Sequence, residues 1–337
     1  MRNYSVIISL LLLLISCTSE SKNQIEGFTF SGKTQGTTYT IIVAEETINF
    51  QQNEIDKLLA NFDTIFSTYI QESHITKIND VKNEYSFIDR DSIFIKCYNL
   101  AQEAYNKSNG LYDPSVYSLV KGWGFFDKSE TVLTDKEIDS ILQFTNFKKG
   151  LFHKVEFIKD SVRIIKNDPR FKLDFNGIAQ GFSVDVVADF IEKKGHKNYY
   201  IEIGGEIRVK GKNKNNENWN IGIDTPSEDN TADDREIITT ISVTNCGIAT
   251  SGNYRNFFVK DGIKYGHTLS PKTGKPILTD VISATVIAPN AALADAYATV
   301  FMILGKEKSI EFVNQQSELK IILIYRNSEN ELKVYQS

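Results

Sequence analysis

The stretch Lys172-Leu173-Asp174-Phe175-Asn176-Gly177-Ile178-Ala179-Gln180-Gly181 leads into an apolar helical run from Phe182 to about Lys194, closed by Gly195. An alternating strand follows, Tyr200-Ile201-Glu202-Ile203-Gly204-Gly205-Glu206-Ile207, interrupted by two adjacent glycines. Helix, glycine-rich loop and strand alternate irregularly from here to the C-terminus. Upstream, Phe28 to Val43 alternates with Gly32 and Gly36 as punctuation, the pattern of a hairpin. Asn53 to Tyr69 carries apolar residues at Ile55, Leu58, Leu59, Phe62, Ile65 and Phe66, a helical stripe. Asp91 to Ser108 repeats that stripe and ends at Asn109-Gly110, a C-cap pair. Downstream, Leu319 to Tyr325 is a continuous apolar run that predicts a buried strand. This irregular mixture argues an α+β fold over a doubly wound one. No GxGxxG follows a strand, and the one GxxxxGK[ST] string, Gly27-Phe28-Thr29-Phe30-Ser31-Gly32-Lys33-Thr34, lies within the alternating hairpin and not between a strand and a helix, so neither a Rossmann nor a P-loop site is supported.

The 337 residues are 41 % hydrophobic and 24 % charged, which supports a sizeable core and excludes wholesale disorder, collagen-like repeats and a disulfide scaffold. The formal net charge of −5 argues against nonspecific nucleic-acid binding, which needs many surface cations. A small anionic ligand stays open, because a local site needs only backbone N–H groups or a metal.

The N-terminus reads as a targeting segment. Arg2 precedes an apolar run from Val6 to Ile15 broken only by Ser9. Ten residues rise about 15 Å as a helix, half of the roughly 30 Å that a bilayer core demands. Residues 1–16 are therefore a signal peptide. The run ends in Leu14-Ile15-Ser16-Cys17, which resembles a bacterial lipobox, and residues 17–27 read as a lipidated Cys17 and polar tether. Each acyl CH₂ buried in the bilayer contributes about 0.8 kcal/mol, so two or more chains hold a protein stably. An ordinary secretory signal ending in Cys is the alternative. The other two cysteines, Cys97 in a helical pattern and Cys246 in an apolar strand, read as buried thiols. The four histidines (His74, His153, His196, His267) are scattered, and no Cys/His cluster has zinc spacing.

Four stretches look chemical. In the first, quoted above, glycines before a helix let the backbone approach a ligand, and the helix start offers N–H groups to an anion; a plain turn serves the same pattern. In the second, the paired Gly204-Gly205 permit a bulge beside Glu206 or a hairpin turn. The third joins Ala249-Thr250-Ser251-Gly252-Asn253-Tyr254-Arg255 to Gly266-His267-Thr268-Leu269-Ser270-Pro271-Lys272-Thr273-Gly274. A histidine in such a polar loop suits acid–base work better than core packing. In the fourth, Asn290 caps a helix through Thr299, on which Asp295 and Thr299 are i, i+4 and share one face. A carboxylate and a hydroxyl there suit a hard cation whose shell a ligand's phosphates and backbone carbonyls complete. A solvated helix face is the plain alternative.

Taken in order, Gly36-Thr37-Thr38-Tyr39, Ser67-Thr68-Tyr69, Gly110-Leu111-Tyr112-Asp113-Pro114, Trp123-Gly124-Phe125, Asp174…Gly177…Gly181, Gly204-Gly205-Glu206, Thr250-Ser251-Gly252, His267…Pro271…Thr273-Gly274 and Ala294-Asp295-Ala296…Thr299 resemble the ApbE family. Its members are FAD:protein FMN transferases, formerly called thiamine-biosynthesis lipoproteins. The resemblance implies a T-fold-like α+β unit over 28–337, with mixed sheets flanked by helices. It also implies Mg²⁺-dependent transfer of FMN from FAD, the substrate, to a threonine hydroxyl, with release of AMP. By motif position, Gln35, Tyr69, Leu111, Tyr112, Asp113, Asp174, Gln180 and Leu269 would contact FAD. The Gly177 carbonyl and the side chains of Asp295 and Thr299 would hold Mg²⁺, and His267 would be the base for the acceptor threonine. The implied acceptor is a flavoprotein subunit of a redox complex of the Nqr or Rnf kind. With the lipobox, this places the protein on the periplasmic face of the inner membrane.

Three positions depart from the commonest family pattern: Gln180 where Lys is frequent, Ser270 where Asp often stands, and Glu206 where Asp is common. They bear on FAD affinity and the proton path and leave the Asp295/Thr299 pair intact. Two other activities share this residue set. A Mg²⁺-dependent FAD pyrophosphatase would give FMN and AMP with water as acceptor, and a non-enzymatic FAD-binding lipoprotein would have no need of Asp295 and Thr299.

Overall fold

Gln35 and Gly36, both with left-handed φ (52° and 74°), close the first hairpin as a two-residue turn and start the main sheet. The computed structural model describes residues 26–148, 150–226, 236–253 and 257–337. The signal segment 1–16, Cys17 and the tether up to residue 25 lie outside the described residues, as do Tyr254 and Arg255 of the third chemical stretch.

The hairpin is β1 (Phe28–Thr34) and β2 (Thr37–Val43), followed by α1 (Gln52–Phe66) and α2 (His74–Asp80). Then come β3 (Glu84–Ile88), α3 (Ile93–Lys107), α4 (Tyr117–Gly122), α5 (Asp135–Leu142), β4 (His153–Ile158) and β5 (Ser161–Lys166). The long helix α6 (Asn176–Lys193) leads to the hairpin β6 (Tyr199–Ile203) and β7 (Glu206–Lys210) and to the ribbon β8 (Trp219–Asp224) and β9 (Ile237–Val243). Strand β10 (Cys246–Gly252), the ribbon β11 (Phe257–Lys260) and β12 (Ile263–Gly266), and β13 (Val281–Ala288) precede α7 (Ala291–Asn314). A last hairpin, β14 (Lys320–Arg326) and β15 (Leu332–Gln336), ends the chain.

The main sheet runs β1-β2-β6-β7-β10-β13-β14-β15, and the smaller sheets are β3-β5-β4, β8-β9 and β11-β12. Every ladder among the described residues is antiparallel. With helices packed on it, this is the α+β class that the sequence pattern indicates.

Alternation explains how the main sheet is covered on both faces. On β14, Ile321 and Leu323 join the helix-side core with Phe175, Ala294 and Phe301, whereas Ile322 and Ile324 join Trp219, Ile221 and Ile241 of the β8–β9 ribbon. Strands buried on both sides read as continuous apolar runs, which is why 319–325 is legible as a strand. Cys97 and Cys246 are both buried and unpaired, as their patterns suggest. No described helix is long and apolar enough to cross a membrane.

Two local expectations are sharpened. The paired Gly204-Gly205, with φ of 64° and 113°, form a two-residue turn, since Ile203 pairs directly with Glu206. The helix expected from Phe182 begins six residues earlier, at Asn176, whose N–H donates to Asp174 Oδ1 at 2.8 Å. Gly177 and Gly181 are thus inside α6, not in a turn before it. A glycine inside a helix costs about 1 kcal/mol against alanine, so a tertiary contact must offset it. At Gly181 that contact is α7: an added Cβ would stand 2.3 Å from the Ala291 carbonyl oxygen and 2.9 Å from Asp295 Cβ.

Gly181→Ala should therefore push α6 and α7 apart. Overpacking of this kind costs about 1–3 kcal/mol, and urea unfolding should show a loss of that size. A variant as stable as the parent would contradict the close approach.

Candidate functional site

Asp295 stands in the second turn of α7, in the seam between α7 and α6. The start of α7 is fixed by two caps. Asn290 Oδ1 accepts the Leu293 N–H at 2.8 Å, as its position in the sequence suggests. Asp185 of α6 accepts the N–H groups of Ala291 and Ala292 at 3.0 and 2.8 Å. Arg208 Nη1 lies 3.2 Å from that same carboxylate and donates to the Pro289 carbonyl at 2.7 Å. Burial raises the Asp185 pKa to about 6, and Arg208 with the two helix N–H groups opposes the rise. Asp185 is absent from the sequence reading; its signal was an acid inside the apolar run Val184-Asp185-Val186-Val187.

The capped helix presents Asp295 and Thr299 to the first turns of α6. Asp295 is 8 % exposed and its Oδ2 accepts the Gly181 N–H at 3.1 Å. In regular helix geometry that N–H serves the Gly177 carbonyl. Its donation to Asp295 makes any bond to Gly177 one arm of a three-centre interaction, leaving the carbonyl with acceptor capacity. A Cβ on Gly177 would lie 3.7 Å from Thr299 Oγ1 and 3.4 Å from the Tyr112 ring. The Thr299 hydroxyl is 3.4 Å from that of Ser251 on β10. The structure thus brings together the three residues expected to hold a cation, and adds Ser251 beside them.

Electrostatics mark the same place. Burial pushes the Asp295 carboxyl up to about 7. Glu206, at the start of β7, is held well above the carboxylate range by burial and by the Asp295 charge beside it. Glu206 Oε2 is buried without a hydrogen-bond partner. Among the described residues no basic side chain pairs with either carboxylate. The donors are oxygens only, the set that suits Mg²⁺ or Ca²⁺. Among the described residues, no group of three His, Cys, Asp or Glu side chains is placed to hold a metal, so further ligands would come from backbone, hydroxyls or a bound molecule.

Around this centre lie other residues singled out from the sequence. Tyr112 is buried and its hydroxyl has no partner. Gln35, at the β1–β2 turn, faces Ser183 of α6 through Oε1 at 3.2 Å, and its Nε2 is buried without a partner. Gln180 Nε2 donates to the Ile203 carbonyl at 3.2 Å, so its amide spans the β6–β7 turn. Asp174 is buried beneath the start of α6, and its pKa is raised by burial to about 6. Asp113 has both carboxylate oxygens engaged within the protein: Oδ1 by Ser115 and Oδ2 by the Phe147 N–H at 3.3 Å. It fastens the loop that carries Leu111, which is half-buried, and Tyr112. Tyr69 is 77 % exposed.

His267 follows β12 in a bend, half-buried, between Gly266 and Thr268. Thr268 Oγ1 donates to Asn253 Oδ1 at 2.8 Å, directly after β10, the strand that brings Ser251 to Thr299. Leu269 is buried with Leu119, Trp123 and Ile138, and Trp123 Nε1 donates to the Gly274 carbonyl at 2.8 Å. The histidine loop is therefore tied both to β10 and to α4. A cleft of about 440 Å³ opens beside it at Asn253, Gly266, Leu278 and Arg326, and one of about 360 Å³ opens at Asn61, His74 and Arg90. Neither is lined by Gly177, Asp295 or Thr299, which face one another in the α6–α7 seam.

Residues 35–323 match the ApbE family model. A protein of Vibrio cholerae serotype O1 named FAD:protein FMN transferase is 33 % identical over 98 % of this chain and 95 % of its own length. One of that name from Haemophilus influenzae is 31 % identical over 95 % and 92 %. The solved structure of the flavin transferase ApbE from Vibrio cholerae superposes with a TM-score of 0.78 at 31 % identity, covering 93 % of this chain and 97 % of that one.

Proposed function

The chain belongs to the ApbE family, and on that premise we propose that it transfers FMN from FAD, with Mg²⁺, to a threonine hydroxyl of a partner flavoprotein. The observation that supports this most is the buried Asp295 carboxylate, which faces Thr299 and the Gly177 turn of α6 and, among the described residues, pairs with no basic side chain. These three residues would hold the ion. A bound Mg²⁺ supplies charge neutralisation at the pyrophosphate. Tyr112 OH and Gln35 Nε2, buried donors without protein partners, are available to the nucleotide.

His267 takes the proton from the threonine Oγ as that oxygen attacks the FMN phosphorus. The threonine O–P bond forms, the pyrophosphate P–O bond breaks, and AMP leaves with the bridging oxygen. General-base help of this kind contributes about 10²–10⁴-fold. The lipobox at Cys17 supports a lipid-anchored protein on the periplasmic face of the inner membrane. There the acceptor would be a flavoprotein subunit of an Nqr- or Rnf-like complex.

Incubation with FAD, Mg²⁺ and a candidate acceptor should leave flavin covalently on the acceptor, read by in-gel fluorescence and intact mass. FMN and AMP released with no labelled acceptor would favour hydrolysis instead. Asp295→Ala should abolish transfer while circular dichroism and unfolding stay near the parent; near-native turnover at ordinary Mg²⁺ would place the ion elsewhere. His267→Ala should lose roughly 10²–10⁴-fold in single-turnover rate with FAD affinity kept. A parallel loss of affinity and rate would mean that His267 only holds its loop. Cys17→Ser should move the protein from the membrane to the soluble fraction, and unchanged fractionation would contradict lipidation.

A further inference from the structure

Glu206 enters the α6–α7 seam from a third side. It is the first residue of β7, immediately after the Gly204-Gly205 turn. That turn is pinned against α6: Gln180 Nε2 donates to the Ile203 carbonyl at 3.2 Å, and a Cβ on Gly204 would strike the same nitrogen at 1.7 Å. One residue on from Gln180, Gly181 donates its N–H to Asp295 Oδ2. The hairpin tip, the second turn of α6 and Asp295 are therefore locked in one arrangement.

In it, Glu206 brings a second carboxylate beside the first, and its Oε2 is buried without a donor. The basic residue nearest on its own strand, Arg208, is engaged by Asp185 and the Pro289 carbonyl. Two neighbouring buried carboxylates with no basic partner among the described residues repel each other unless a proton or a cation lies between them. A further observation points to a ligand and not merely to a strained pair. Tyr112 is only 4 % exposed, its ring packs on Gly177 and its hydroxyl lacks any partner, with Asp295 foremost among the carboxylates around it. Orphaned oxygens from β7 and from the 111–113 loop thus converge on the seam where Asp295 and Thr299 already face Gly177.

We propose that Glu206 is a second carboxylate ligand of the cation site built on Asp295, closing that site from the β6–β7 hairpin. This rests on the reading of Asp295 as a cation ligand.

The test uses the mature chain, saturating FAD, and Mn²⁺ as the probe, with free Mn²⁺ read by electron paramagnetic resonance. Glu206→Gln should weaken Mn²⁺ binding by tenfold or more, and Asp295→Asn by at least as much. The rise in melting temperature that Mn²⁺ gives the parent should shrink in Glu206→Gln. If Glu206→Gln binds Mn²⁺ as the parent does and Asp295→Asn does not, Glu206 is no ligand although Asp295 is. If neither variant changes Mn²⁺ affinity, the reading of Asp295 fails with it. Should the Gln variant not fold, Glu206→Met, which removes the charge but fills the space, takes its place under the same outcomes.

Discussion

The first turn of α7 is wedged between two glycines, and the candidate site exists because of it. On one side an added Cβ at Gly181 of α6 would meet the Ala291 carbonyl oxygen at 2.3 Å. On the other, a Cβ at Gly247 of β10 would meet Asn290 C and Ala291 N, both at 2.1 Å. Backbone lies on backbone in both places, so neither contact tolerates a side chain. Asn290 and Asp185 then satisfy the N–H groups that this burial would otherwise strand. The direction of α7 is fixed before any ligand arrives, and with it the placement of Asp295 and Thr299.

Charge follows from the same geometry. Asp174, Asp185 and Asp295 are all buried near the start of α6 or α7, and burial raises each carboxyl. Of these three, only Asp185 has a guanidinium beside it among the described residues. The rest of the negative charge is left to the helix-start N–H groups and to whatever binds, which is why we propose a cation there. It also explains why a protein with a net charge of −5 can handle an anionic nucleotide: the positive charge would come with the ion and not from a basic surface.

How much of this could be read from the chain depends on how local each feature is. The β1–β2 hairpin, the β14 strand, the Asn290 cap and the Asp295/Thr299 pair each declare themselves within a few residues, and the structure has them. Gly177 and Gly181 misled because glycine's intrinsic preference points to a turn, whereas here a helix tolerates two glycines for the sake of a neighbour far away in sequence. Asp185 went unread for the same reason, since it matters only through a contact with α7, and Ser251 was singled out without its Thr299 partner. The β8–β9 ribbon went unread although Trp219, Ile221 and Ile223 alternate along β8 and β9 is rich in Ile and Val, and the edge strand β15 is largely exposed. Asp113 sits in a family-like motif, yet its carboxylate is occupied by Ser115 and Phe147, so motif position describes its loop better than its side chain.

Whether the α6–α7 seam holds a cation is tested most directly by anomalous diffraction from crystals grown with FAD and Mn²⁺. An anomalous peak should stand within coordination distance of the Asp295 carboxylate, the Thr299 hydroxyl and the Gly177 carbonyl. A fully occupied Mn²⁺ elsewhere, with Asp295 still bonded only to Gly181, would contradict this placement.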